Sequence, residues 1–106
     1  MIYLIERAEV AVENLDAYLE AIEKLFRPRA EAAGLAFVAC LHTPDSIGQD
    51  VEVTQMLSFA DWGTWDGIRQ RMVLDPALLE WQAARRRLAR RAERRFCQPA
   101  AFSPMA

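Results

Sequence analysis

The chain has 106 residues, 53% of them hydrophobic, and a formal net charge of -2 at pH 7. That length suits one domain spanning 1–106, with enough apolar content for a folded core. The near-neutral balance gives no global pull toward nucleic acid, and no apolar run is long enough to span a bilayer.

Residues Ile2 to Val10 read as a first strand, with β-branched and aromatic residues early and no breaker. The segment Met1 to Glu6 lacks a basic stretch followed by a long apolar run, so a signal peptide is not expected. A helix follows, with Asn14 placed as its N-cap. Leu15, Tyr18, Leu19, Ile22, Leu25 and Phe26 recur at helical spacing and make one apolar face. Pro28 either ends or kinks this helix. Ala30 to Ala33 before Gly34 suggests a resumed turn with a glycine stop.

Leu35 to His42 is apolar and reads as a second strand, and Thr43 to Asp50 as a polar turn. Val51 to Phe59 is a third strand. Its odd positions are Val51, Val53, Gln55, Leu57 and Phe59, apolar except for Gln55. Asp61 caps a second helical region whose stripe is Trp62, Trp65, Ile68, Arg69 and Met72. Asp75-Pro76 restarts a helix, with Asp as N-cap and Pro at the first helical position. Leu78, Trp81, Arg85, Leu88 and Ala92 continue in steps of three and four. The spacing therefore predicts an amphipathic last helix with a basic run from Arg85 to Arg95. Phe96 and Cys97 begin a short fourth strand, cut off by Pro99.

This order is the α+β, ferredoxin-like βαββαβ plan, a four-stranded antiparallel sheet with helices on one face. The other face needs a cover, and a second copy of the same sheet is the economical one, so a homodimer is expected. The usual strand order puts the second and fourth strands at opposite edges, too far apart for a Cys40–Cys97 disulfide. Free thiols and a cytoplasmic location are the expectation. With His42 as the sole histidine and no zinc-type cysteine spacing, no metal site is expected.

The segment Phe59 to Pro76 runs from a strand end through a helix bearing Trp62 and Trp65 to the Asp75-Pro76 break. The tail from Pro99 to Pro104 has a Pro-x-x-x-Ser-Pro form. Together they resemble the NIPSNAP-like branch of the dimeric α+β barrel superfamily. Arg69 or Arg71 matches the arginine of that helix, and Arg7 the arginine common in the first strand. The chain departs from the family at Glu13-Asn14, where Pro-Gly is common. The resemblance implies a dimer whose two sheets form a barrel, and a mostly apolar cavity between sheet and helices. It implies chemistry of the kind found in that superfamily, which includes cofactor-free monooxygenases, lyases, isomerases and cyclases. Haem-degrading members are expected to place a ligand in the second helical region, where this chain has no histidine, so no cofactor is expected.

His42 is the only side chain that titrates near neutrality unperturbed, as a general base or as a plain surface histidine. Gln55 either orients a substrate or bonds to a neighbour. Arg7 either stabilises an oxyanion or pairs with Glu6, Glu9 or Glu52. Glu6 and Arg7 point to opposite faces, so at most one sees the cavity. His42, Arg7 and Gln55 are the expected catalytic groups. Tyr3, Trp62, Trp65, Arg69, Met72 and Trp81 are the expected substrate-binding residues. One of Arg69 and Arg71 holds a carboxylate, or they pair with Asp66 or Asp75. No phosphate loop, paired metal ligands or Ser-His-Asp set is present. The expected function is a small cofactor-independent enzyme acting on a hydrophobic cyclic or aromatic molecule. It works by isomerase-, lyase- or cyclase-type proton transfer or by cofactor-free oxygenation. A non-catalytic binding module is the alternative, and a basic-helix adaptor for membranes or nucleic acid a third reading.

Overall fold

The computed structural model describes residues 1–44 and 48–105. Strand β1 (Ile2–Ala11) leads through a 3₁₀ turn (Val12–Asn14) into helix α1 (Leu15–Ala21), a π-helical turn (Ile22–Phe26) and helix α2 (Arg27–Ala33). Strands β2 (Ala36–His42) and β3 (Asp50–Phe59) follow, then helices α3 (Trp62–Val73) and α4 (Pro76–Leu88), then strand β4 (Ala89–Cys97). Of the expected turn between β2 and β3, positions 45–47 lie outside the described residues.

All four strands form one antiparallel sheet in the order β2-β3-β1-β4. Alternation decides which side chains face the helices. On β1 these are Ile2, Leu4, Glu6, Ala8 and Val10, all buried; on β3 they are Val51, Val53, Gln55, Leu57 and Phe59. Tyr3, Ile5, Arg7 and Glu9 of β1 point to the other face. The ferredoxin-like sheet with helices on one face is thus present. The expected barrel is not: the sheet is open, and β2 and β4 are unjoined edges at its two sides. Cys40 and Cys97 sit on those opposite edges as free thiols.

The first helical stretch does not break at Pro28. It widens just before it, with the Arg27 N–H donating to Ile22 O. A wide turn gives room for a proline ring that would clash with a regular preceding turn. Gly34 ends α2 at φ 113°, a left-handed conformation natural to glycine. Asn14 stands at the N-cap position of α1, yet its side chain makes no capping bond there. Its amide instead donates to Leu88 O at the end of α4, at 3.5 Å. Asp61 and Asp75 do cap their helices, accepting from the Thr64 and Ala77 N–H groups at 2.8 and 2.9 Å. Asp75 also pairs with Arg29, tying the start of α4 to α2.

The last helix requires a correction. It ends at Leu88, and β4 starts at Ala89, seven residues before Phe96. The run from Arg85 to Arg95 is therefore helix only as far as Leu88 and strand from Ala89 on, with no continuous basic helical face. Arginine and alanine favour helix locally, but pairing with β1 prevails. The register sets Arg94 opposite Glu6, Glu93 opposite Arg7 and Arg91 opposite Glu9. Cross-strand pairs of opposite charge support strand pairing, and exposed arginines on an edge strand discourage edge-to-edge association.

Candidate functional site

A cavity of about 240 Å³ lies between the sheet and the helices. Leu4 and Glu6 of β1 form its floor. Trp65, Arg69, Met72 and Val73 come from α3. Leu78, Trp81, Gln82 and Arg85 come from α4, with Phe26 and Arg94 completing the wall. The restart at Asp75-Pro76 turns the chain so that α3 and α4 present different walls of one space. Trp81 is held by Tyr18 and Phe26, with ring centroids 5.5 and 5.2 Å away. Trp65 stacks on Phe59 at 5.1 Å.

Glu6 is the chemically distinctive group. It is 8% exposed on an otherwise apolar strand face. Its Oε2 is buried with no hydrogen-bond partner among the described residues. Its Oε1 lies 3.5 Å from Arg94 Nε, longer than a strong charge-assisted hydrogen bond. Burial raises the carboxyl above the ordinary glutamate range, while Arg94 and Arg85 pull it back only in part. Gln55 is directly opposite Glu6 on β3, 2% exposed, and its Oε1 also lacks a partner among the described residues. Two buried oxygens without partners among the described residues thus belong to paired positions on neighbouring strands. Burial, with help from the Glu6 charge, pushes the Tyr18 hydroxyl up to about 12.

The expected site residues divide between places. Trp65, Arg69, Met72 and Trp81 line the cavity, and Gln55 stands beside its floor. Arg7 is on the opposite sheet face, with Nη2 bonded to Glu52 Oε1 at 2.7 Å and Glu93 at 3.8 Å. Around it is a wider depression, about 410 Å³, lined by Arg7, Glu9, Glu52, Arg91 and Glu93 with two alanines. Such charged walls do not suit a hydrophobic ligand. Tyr3 shares that face, in register with Ser58 and Cys97. His42 is exposed at the end of β2, its Nδ1 donating to Thr43 O at 2.8 Å, and it does not line the cavity. Trp62 is 50% exposed and packs on Phe96 at 5.1 Å, outside the cavity. Arg71 donates to Ala33 O at 2.9 Å, while Arg69 pairs with Asp66 at 3.3 Å.

The residues that sequence reasoning passed over are Glu6, Arg85 and Arg94. Glu6 carried the same signal as Gln55, one polar side chain in an alternating apolar series. Arg94 could not be placed while β4 was read as helix. Among the described residues, no group of three His, Cys, Asp or Glu side chains is placed to hold a metal. Among the same residues, no helix is long and apolar enough to cross a membrane.

Comparison with solved structures finds the same fold. Protein Atu4242 from Agrobacterium tumefaciens is 25% identical, with a TM-score of 0.78 over 100% of both chains. An uncharacterised NIPSNAP domain protein from Burkholderia xenovorans is 18% identical, with a TM-score of 0.79, covering 98% of this chain and 99% of that one. SnoaB from Streptomyces nogalater, a cofactor-independent oxygenase, is 16% identical, with a TM-score of 0.62 over 97% and 96% of the two chains. The last two likenesses show a shared fold. A search of curated proteins returns no match. The NIPSNAP family model matches residues 3–104, nearly the whole chain, and the protein belongs to the NIPSNAP family.

Proposed function

We propose that this protein is a small enzyme that uses no built-in cofactor and moves a proton on a hydrophobic, cyclic or aromatic substrate. Glu6 is its acid–base group. The observation that carries the reading is the Glu6 carboxyl, buried with an oxygen that has no partner among the described residues, in a cavity walled by Trp65 and Trp81. A carboxyl raised by burial is a stronger base than an ordinary glutamate once ionised. Glu6 takes the proton from a carbon acid or enol, and the electron pair stays on the substrate as an enolate. Arg85 and Arg94 offset that developing charge. Deprotonation of this kind is the first step of an isomerisation. It is also the first step of oxygenation by an electron-rich substrate that reacts with O₂ directly, and the fold shared with SnoaB supports keeping both outcomes.

The test is incubation in D₂O with a panel of cyclic enols, enones and hydroaromatic compounds, with oxygen consumption followed in parallel. Deuterium entering a ring carbon supports proton transfer, and oxygen uptake supports oxygenation. Neither signal across the panel, with the compounds shown to bind, would favour the alternative, a non-catalytic small-molecule-binding module. One observation already leans that way: Arg7 is engaged by Glu52 and not by the cavity.

We also infer a homodimer. The sheet face opposite the helices exposes Leu41 at 62% and carries Tyr3, Ile5 and Met56 without a covering layer. Sedimentation at micromolar concentration is expected to give twice the 12.1 kDa chain mass. The chain mass itself would refute the dimer.

A further inference from the structure

The charge around the cavity says more about its ligand than the cavity's shape does. Three guanidinium groups, Arg69, Arg85 and Arg94, come to it from α3, α4 and β4. One carboxyl, Glu6, faces them, and burial disfavours its charged form. Arg69 has a partner in Asp66 at 3.3 Å, on its own helix and outside the cavity lining. Arg94 reaches Glu6 only at 3.5 Å. Arg85 makes no direct ion pair among the described residues, although the Glu6 charge is within its range. A largely apolar space thus holds an excess of positive charge, concentrated where Arg85 and Arg94 converge beside the Glu6 carboxyl.

We infer that the ligand of this cavity is an anion, a flat ring system bearing a carboxylate seated between Arg85 and Arg94, with its ring against Trp65 and Trp81. The inference rests on the cavity being the active site. Guanidinium groups on two different elements can grip a carboxylate from two directions. Trp65 and Trp81, both in the cavity lining, supply apolar contact for a flat ring. Glu6 then stands next to the held carboxylate, where it moves a proton at a neighbouring ring position. At about 240 Å³ the cavity lies below the ~300–1,000 Å³ usual for drug-sized ligands, which limits the ring system to a small one.

The experiment is calorimetric titration of the purified full chain with one- and two-ring aryl carboxylates, such as benzoate and 2-naphthoate. Each is compared with its uncharged primary amide, which has nearly the same shape. The carboxylates are expected to bind at least about tenfold more tightly than the amides. Arg85→Gln and Arg94→Gln, checked for folding by circular dichroism, are expected to bring the two affinities together by weakening the carboxylates alone. Equal affinities in the unaltered protein, or tighter binding of the amides, overturn the anionic ligand and leave the cavity standing as a site. Carboxylates that keep their advantage in both folded variants overturn the placement between Arg85 and Arg94. Binding of neither series overturns the inference together with the reading of the cavity as a ligand site.

Discussion

Glu6→Gln is expected to lower turnover by about 10²-fold or more, the usual scale of a general acid–base contribution, while making the protein more stable at neutral pH. The two effects have one cause. The folded-state carboxyl titrates above its ordinary value because burial disfavours the anion. Below pH 4.5, the value for an unburied carboxyl, Glu6 is protonated folded and unfolded alike and contributes no difference. As pH rises from 4.5 toward the raised folded value, the unfolded chain releases this proton while the native state still holds it, and stability falls until the folded carboxyl ionises too. Glutamine cannot ionise and avoids that loss. Thermal melts of the two proteins should therefore converge in acid, separate as pH rises from 4.5 to the folded titration and stay apart above it, with the glutamine variant higher. A variant that is less stable at neutral pH would mean that Arg94 and Arg85 outweigh burial. Stability gained together with activity lost separates a catalytic role from a structural one, because a merely structural glutamate would not show opposite signs.

Trp81→Ala is expected to cost about 3–5 kcal/mol, in the range for large aromatic side chains removed from cores. Trp81 is 3% exposed and packs between Tyr18 and Phe26, so α1, the π-helical turn and α4 all lose contacts at once. It also borders the existing cavity, so its removal enlarges a space the neighbours cannot easily fill. Against the ~5–15 kcal/mol typical of a domain, that loss endangers the fold. Chemical denaturation is the measurement. Trp62→Ala serves as the comparison, since half of Trp62 is already in solvent. A Trp81 variant no less stable than the Trp62 variant would contradict the assignment of Trp81 to the core.

Composition without a breaker made β1 legible in the sequence, and period-two alternation made β3 legible together with its apolar face. The caps at Asp61 and Asp75 and the stop at Gly34 were legible for the same reason, since each is a local backbone requirement met by one residue type. What failed was non-local. From Ala89 onward the residues prefer helix, and pairing with β1, with charge pairs such as Glu6 opposite Arg94, makes a strand the better choice. Asn14 has the form of a cap, but its amide is used 74 positions away. The edge positions of β2 and β4 followed from the βαββαβ plan, whereas the failure of those edges to join into a barrel is encoded by no local pattern.

The candidate site followed the same division. The helical stripe of Trp65, Arg69 and Met72 was readable, because helix faces follow spacing. His42 drew attention by being the sole histidine, an argument from residue type with no geometry behind it. Glu6 was visible as an exception on an apolar face. It became a candidate only when Arg85, Arg94 and Trp81 were found around it, from parts of the chain far from β1.

The most direct test is titration of the Glu6 side-chain carboxyl by carbon-13 NMR, assigned by comparison with Glu6→Gln. The expected result is a midpoint above 4.5, shifted away from that of the exposed glutamates. A midpoint at or below 4.5 would mean that Glu6 is an ordinary ion-paired carboxylate. The acid–base role assigned to the cavity would then fall.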